Sequence, residues 1–267
     1  MVDRHGSLAR GRAATVPVGY VEEFFGICTG ELQYIDKYGD CGARWIREDA
    51  RWEEAEAVEG EWDWSRWDAL YEAGRERGYA FLPILDYTPP WASTAPADAP
   101  ERERDHSPPR DTGDWREFVE RFVERYPDIE YFEVWNEPNL SHFLYADRPN
   151  HEVYVEKLLK PAAAVVHDHG KYVVAPSLTL EWPDTPGPSA GRNPGSWNVG
   201  ANVRMLDRWL NYENAWKHVD YVSVHYTKGD AEKHGFPYAE NLMPFYDHVY
   251  ERSRTSWSST STSTSST

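Results

Sequence analysis

Short apolar runs alternate with longer amphipathic stretches along most of the chain, and this alternation limits the possible folds more than any other feature. The apolar runs predict six strands, over residues 22–28, 42–49, 79–85, 129–135, 171–177 and 219–226. Apolar residues at helical spacing predict helices over residues 31–39, 60–78, 114–126, 150–169, 202–217 and 240–252. Strict alternation of strand and helix implies parallel strands that are joined by crossover helices.

The polar residues that follow the strands favour a barrel over a doubly wound sheet. No G-x-G-x-x-G turn follows the first strand, so the fingerprint of a dinucleotide-binding sheet is missing. Arg47, Asp86, Glu137 and His225 lie at or near strand ends, which matches the C-terminal face of a TIM barrel, where enzymes of this fold have their sites. The sequence therefore predicts an α/β fold of the TIM (β/α)8 type.

The count of six β/α units predicts an incomplete barrel, because a closed barrel of this type has eight strands. We expect a flexible N-terminus over residues 1–18 and a partial barrel catalytic domain over residues 19–252. Residues 253–267 include 13 Ser or Thr among 15 residues, and such a tail buries too little apolar surface to become ordered. The Pro-rich segment 86–110 is predicted to be a long loop that covers a site.

Charge and composition exclude several classes of partner. The net charge of -17 argues against nucleic acid and against an anionic membrane, since both require a basic protein face. The surplus of 21 Arg over 7 Lys in an acidic chain suits a salt-rich cell interior, although a GC-rich genome would also favour Arg. The 13 Trp and 17 Tyr either pack in the core or line a groove for sugar rings, and composition leaves both possibilities open.

The sequence contains few features that indicate disulfide bonds, a targeting signal or a bound cofactor. Cys28 and Cys41 could pair, but two cysteines make neither a disulfide framework nor a metal site. The first 20 residues contain no apolar signal region, and no run of about 18 apolar residues occurs. We therefore predict a cytoplasmic protein without a cofactor or a metal, and the sequence does not predict its oligomeric state.

The stretch YFEVWNEPNL, residues 131–140, places a carboxyl group and two amides at the end of an apolar strand. Because Glu137 follows Val134 and Trp135 closely, we expect burial to raise its pKa toward the range of a general acid. Asn136 could bind a sugar hydroxyl, and Pro138 would stiffen the turn. Cleavage of a glycosidic bond requires a proton donor and a residue that binds the sugar. The alternative is an ordinary turn in which Glu137 forms a salt bridge.

The segment VWNEPN at the end of the fourth predicted strand resembles the acid/base motif of glycoside hydrolases of clan A, in particular families 39 and 5. Residues 42–93 look like the second and third strand segments of these enzymes, and residues 219–230 look like the sixth. The resemblance covers roughly residues 20–250. It implies a retaining hydrolase that cleaves O-glycosidic bonds of a β-linked oligo- or polysaccharide.

The resemblance also implies roles for individual residues. Glu137 would be the catalytic acid/base, and the substrate-binding residues would be Asn136 at the sugar 2-hydroxyl, Arg47 beneath the carboxylates, His225 and Tyr226 at the −1 sugar, and Trp91 at the edge of the groove. Each has a simpler alternative: Arg47 could pair with Glu48 or Asp49, His225 could be bonded to a loop, and Trp91 could pack in the core.

A retaining mechanism requires a second carboxylate about 5–5.5 Å from the first. In clan A this Glu stands at the end of the seventh strand, but residues 253–267 contain no Glu. We therefore expect the nucleophile strand to be missing and turnover to be low. The alternatives are a non-catalytic carbohydrate-binding protein or inactive fragment, and an inverting hydrolase that takes its base from Asp86 or Glu181.

Overall fold

The computed structural model describes residues 25–28, 30–179 and 199–225. The strands, numbered in chain order, are β1 (Gly26–Cys28), β2 (Trp45–Arg51), β3 (Ala80–Asp86), β4 (Tyr131–Val134), β5 (Tyr172–Val174), β6 (Leu178–Thr179) and β7 (Val224–His225). The predicted flexible N-terminus, the helix over 240–252 and the Ser/Thr-rich tail lie outside the described residues, so the predicted domain boundaries stay predictions.

Helices follow most of the strands, as the alternating pattern predicts. The α-helices are α1 (Ile35–Tyr38), α2 (Trp52–Ala55), α3 (Ser65–Glu76), α4 (Glu101–Asp105), α5 (Thr112–Arg125), α6 (Asn150–Val153), α7 (Lys160–Asp168) and α8 (Val199–Asn211). A π-helical turn, Tyr154–Leu159, joins α6 to α7, and 3-10 turns occupy Leu32–Tyr34 and Tyr212–His218. Within the described residues, no helix combines the length and the apolar character needed to cross a membrane. The cytoplasmic location stays a prediction.

The strands follow one another in space in the order of the sequence. The main sheet has the order β1-β2-β3-β4-β5, β6 pairs with β7, and every pairing is parallel. A single bridge between Val174 and Tyr221 connects β5 to the chain before β7. A doubly wound sheet reverses its strand order near the middle, and the described residues contain no such reversal. The predicted parallel β/α fold of the TIM-barrel type is confirmed.

The alternation of side chains along β2 separates a core face from a polar face. Ile46 and Ala50 are buried in the hydrophobic core, whereas Arg47, Asp49 and Arg51 lie on the opposite face and are partly exposed. Successive residues of a strand point to opposite sides of the sheet, so Arg47, Asp49 and Arg51 are collected on one side, whereas Glu48 is buried on the other and pairs with Arg66. This polar face carries the site described below.

Aromatic side chains fill much of the core. Trp52 stacks on Phe118 with ring centroids 5.8 Å apart, and Trp67 packs edge-on against Phe122 at 5.1 Å. Trp115 is completely buried, and its indole Nε1 donates a hydrogen bond of 3.1 Å to the carbonyl of Leu158. These aromatic residues therefore pack in the core, which is one of the two possibilities that composition left open.

The segment 86–110 is more ordered than the predicted loop. It contains α4, and its two ends are joined by backbone hydrogen bonds from Thr94 N to Pro108 O at 3.0 Å and from Arg110 N to Ala92 O at 2.8 Å. Local hydrogen bonds therefore fold this Pro-rich stretch back on itself. The predicted loop thus contains a short helix and local pairings, and its role in covering a site stays a prediction.

Candidate active site

The chain leaves β4 through a strained turn. Trp135 and Glu137 have φ angles of 62° and 44°, in the left-handed region, where a residue other than glycine costs about 1–3 kcal/mol. Backbone hydrogen bonds hold the turn, from Trp135 N to Leu85 O at 3.0 Å and from Glu137 N to Ser177 O at 3.1 Å. The Trp135 indole is fully buried and donates to the Phe143 carbonyl at 2.7 Å. The neighbouring strands thereby fix Asn136 and Glu137 at the end of β4.

A buried ion pair lies beside this turn. Glu133 of β4 is 0% exposed, and Arg47 of β2 binds both of its carboxylate oxygens, with Nε 2.8 Å from Oε2 and Nη2 2.7 Å from Oε1. Burial alone would raise the pKa of Glu133, but the hydrogen bonds and positive charge of Arg47 and His225 outweigh it and lower the pKa to about 2. Glu133 is therefore a permanent carboxylate at neutral pH.

Arg47 also binds the amide of Asn136. Its Nη2 lies 2.9 Å from Asn136 Oδ1, and its Nη1 lies 3.1 Å from the Sγ of Cys28. The predicted alternative, in which Arg47 pairs with Glu48 or Asp49, is not the arrangement observed, since Glu48 forms its ion pair with Arg66. The structure thus brings Arg47 and Asn136 together, and their roles toward a sugar stay predictions.

His225 at the end of β7 connects Glu137 to this pair. Its Nδ1 lies 2.8 Å from Glu137 Oε1, and its Nε2 lies 3.3 Å from Arg47 Nη2 and 3.7 Å from Glu133 Oε1. Burial lowers the pKa of His225, but the bonds to Glu133 and Glu137 more than offset it, so the pKa is raised. The alternative that His225 is merely bonded to a loop does not describe these contacts.

The predicted direction of the Glu137 pKa shift was wrong. Burial does raise the pKa of Glu137, but hydrogen bonds to its carboxylate, chiefly from His225, and the charge of Arg47 outweigh burial, and the net pKa is lowered. The prediction considered only the apolar neighbours in sequence. The deciding partner is 88 residues away along the chain.

Trp91, one of the predicted substrate-binding residues, contacts residues outside this cluster. The Trp91 indole donates to the carbonyl of Glu56 at 2.8 Å and packs edge-on against Trp52, with ring centroids 5.7 Å apart, which fits the packing alternative. Tyr226 lies outside the described residues. Its place beside the −1 sugar, like the role of Trp91 at a groove, stays a prediction.

The candidate bases of an inverting mechanism gain no support. Asp86 is 0% exposed, and neither carboxyl oxygen has a hydrogen-bond partner among the described residues. Burial and the nearby charges of Asp49 and Glu53 raise its pKa well above the usual range. A general base must reach the water that it activates, and this carboxyl group has no access to solvent. Glu181 lies outside the described residues.

The free cysteines and one group of possible metal ligands can be located among the described residues. Cys28 and Cys41 are both free and exposed, so the pairing that the sequence left open does not form. Glu120, Glu124 and His169 bring possible ligand atoms within 4.8 Å of one another, but these residues belong to α5 and to the chain just after α7. Exposed groups of this kind are common without an ion, and they contact none of the site residues in the described structure.

Glu133 is the functional residue that the sequence reasoning missed. It stands between Phe132 and Val134 in a run otherwise interpreted as an apolar strand. A carboxyl group in the middle of a buried strand requires a charged or hydrogen-bonding partner, and this signal was available without a structure. The sequence could not identify that partner, because Arg47 is 86 residues away along the chain.

Comparison with known proteins relates the fold to glycoside hydrolases. No protein-family model matches the chain, and no curated protein is similar to it in sequence. The chain is similar to the solved structure of a GH39 β-xylosidase from Caulobacter crescentus, with 21% identity, a TM-score of 0.50, and coverage of 81% of this chain and 52% of that one. The GH39 enzyme from Xanthomonas axonopodis pv. citri gives 21% identity, a TM-score of 0.52, and coverage of 79% and 42%.

A third similar structure is the xylanase XynB from Paenibacillus barcinonensis, with 13% identity, a TM-score of 0.56, and coverage of 90% of this chain and 69% of that one. The chain spans about half the length of the two GH39 structures. Similarity at these identities concerns the fold. The predicted resemblance to clan A glycoside hydrolases is thus confirmed at that level: the chain shares its fold with these enzymes.

Proposed function

We propose that the chain is glycosidase-like, with Glu137 as the general acid/base acting on O-glycosidic bonds of a β-linked glycan. The observation that carries the proposal is the junction of Asn136 and Glu137 at the end of β4, with Glu137 held 2.8 Å from His225 in a fold shared with glycoside hydrolases. The similar structures include a β-xylosidase and a xylanase. Xylose-containing glycans are therefore the first substrates to test.

Each residue of the cluster has a task in this chemistry. Glu137 gives a proton to the leaving oxygen as the bond to the anomeric carbon breaks. Asn136 has its Oδ1 occupied by Arg47 and its amide also bonds the Tyr87 side chain, so the second hydrogen of Nδ2 would be the one to donate to a sugar hydroxyl. Such hydrogen bonds strengthen as the transition state forms.

The nucleophile of a retaining mechanism is a separate requirement. Glu133 does not meet it, because its carboxylate is 0% exposed and both oxygens are bound by Arg47. Retention therefore needs a carboxylate other than Glu133, about 5–5.5 Å from Glu137.

A carbohydrate-binding role without catalysis is the second candidate, and the lowered pKa of Glu137 favours it. A carboxyl group that is ionised at neutral pH has no proton to give. The donor Nδ2 of Asn136 and the carboxylate of Glu137 could still bind sugar hydroxyls. The two candidates therefore make different predictions for the same set of residues.

The experiment compares hydrolysis and binding of xylo-oligosaccharides by the wild-type chain, Glu137→Gln and the control Glu156→Gln. Glu156 is a surface carboxylate that pairs with Arg148, away from the cluster. A catalytic Glu137 predicts that kcat/KM falls by about 10²–10⁴-fold in Glu137→Gln and is unchanged in the control. Binding without any turnover would support the second candidate, and neither binding nor turnover would contradict both.

A further inference from the structure

We propose that Glu133 is a positioning residue, which keeps a proton on His225 for Glu137 and keeps the Asn136 amide turned toward the glycan. The catalytic meaning of this inference rests on the proposed function, but the contacts it invokes do not. Glu133 has no exposed surface, so it acts through Arg47 and His225 and not through contact with a substrate.

The orientation of Asn136 depends on the pair of Arg47 and Glu133. A guanidinium group only donates hydrogen bonds, so the atom of Asn136 that faces Arg47 at 2.9 Å must be the acceptor Oδ1. Nδ2 is then the donor side of the amide, to which the Tyr87 side chain also bonds. Glu133 binds Arg47 through two parallel bonds, a geometry that fixes the plane of the guanidinium and with it the amide.

The proton on His225 is held between two carboxylates. An ionised Glu137 accepts a hydrogen bond from Nδ1–H at 2.8 Å, while Nε2 faces Glu133 Oε1 at 3.7 Å. Both carboxylates favour the imidazolium form, and the charge of Arg47, 3.3 Å from Nε2, opposes it. Without the negative charge of Glu133, the positive charge of Arg47 beside the ring would be less fully compensated.

A proton held on His225 explains how Glu137 can act as a general acid although its own carboxyl group is ionised. Transfer from Nδ1 to Glu137 Oε1 breaks one N–H bond and forms one O–H bond. It leaves a neutral ring whose remaining hydrogen is on Nε2, the side that faces Glu133. Glu137 can then protonate the leaving oxygen. The pair of His225 and Glu137 thus supplies one proton.

Other titratable groups of the described structure also face this network. Asp49 lies near both Arg47 and Glu133, Tyr154 lies near Glu133, and the Cys28 thiol touches Arg47. Asp49 keeps part of the compensation for Arg47 if Glu133 is neutralised. Removal of the Glu133 charge should therefore shift the titration of His225 without abolishing the fold.

The test is an NMR titration of ¹⁵N-labelled histidines in the full chain, with His225→Gln to assign the resonance. We expect wild-type His225 to titrate above the ordinary pKa of 6.5 and Glu133→Gln to lower its midpoint. The control Glu156→Gln also removes a carboxylate with a pKa of about 2 and should leave His225 unchanged. Glu133→Asp, which keeps the charge, should keep most of the elevation.

Three results would overturn the proposal: an unchanged His225 midpoint in Glu133→Gln, an equal fall in Glu133→Asp, or a wild-type midpoint at or below 6.5. The wild-type midpoint of His225 tests the proposal even if Glu133→Gln does not fold. The readout does not depend on catalysis. If hydrolysis proves independent of Glu137 while the His225 midpoint shifts as expected, the proposed function fails and the role of Glu133 in the network stands.

Discussion

Replacement of Arg47 by methionine should destabilise the fold strongly, because it leaves a fully buried charge without its partner. Glu133 is 0% exposed, and Arg47 supplies hydrogen bonds to both of its oxygens. Methionine has a similar length but no donor. The buried Glu133 carboxylate would then have to rely on His225, whose Nε2 is 3.7 Å from its Oε1, or take up a proton.

The magnitude follows from the depressed pKa of Glu133. The pKa falls from 4.5 to about 2 in the fold, and at about 1.36 kcal/mol per unit this shift corresponds to roughly 3 kcal/mol. Loss of one partner of a buried ion pair typically costs about 3–5 kcal/mol, so the two routes agree. The stabilisation is fully present above the unfolded pKa of 4.5 and is lost as the pH falls through about 2.

Urea unfolding at pH 7 of the wild type, Arg47→Met and Arg47→Met/Glu133→Leu tests this reasoning. We expect Arg47→Met to lose about 3 kcal/mol and the double variant to recover much of it, because apolar replacement of both partners removes the buried charge. The loss in Arg47→Met should shrink in acid. A loss below about 1 kcal/mol, the usual value of an exposed pair, or a double variant no more stable than Arg47→Met, would refute it.

Two further predictions concern the core and the pH dependence of stability. Gly74→Ala should cost about 1–3 kcal/mol in urea unfolding, because the new Cβ would lie 2.3 Å from Phe81 Cζ; an unchanged midpoint would mean that the ring moves freely. Burial lowers the pKa of His106 from 6.5 to about 4, so its contribution to stability is present above pH 6.5 and is lost as the pH falls through about 4. His106→Phe should therefore flatten the fall of the melting temperature over that range, and an identical pH profile would contradict the assignment.

The sequence predicted those features that depend on neighbouring residues. Spacing of apolar residues is local, so the alternation of strands and helices and the parallel sheet could be inferred from it. The position of Glu137 after an apolar strand was enough to predict a polar site at that strand end. The strained φ of Trp135 could not be inferred, because the hydrogen bond that holds it comes from Leu85 of another strand.

The electrostatics of the site could not be predicted, because they depend on residues far apart in the chain. Arg47, Glu133 and His225 come from β2, β4 and β7, and only the fold brings them together. Apolar neighbours alone predicted a raised pKa for Glu137, whereas the bond to His225 reverses the sign. The position of Glu133 inside a buried strand indicated that its carboxyl group needs a partner. The sequence did not identify that partner.

The central claim is that Glu137 supplies the proton for bond cleavage, and the dependence of rate on the leaving group tests it most directly. The measurement is the slope of log kcat/KM against leaving-group pKa for a series of aryl β-xylosides, in the wild type and in Glu137→Gln. The account predicts a shallow slope in the wild type and a steep one in the variant, because only leaving groups that depart as anions react without a proton donor. Equal slopes in the two proteins would contradict it.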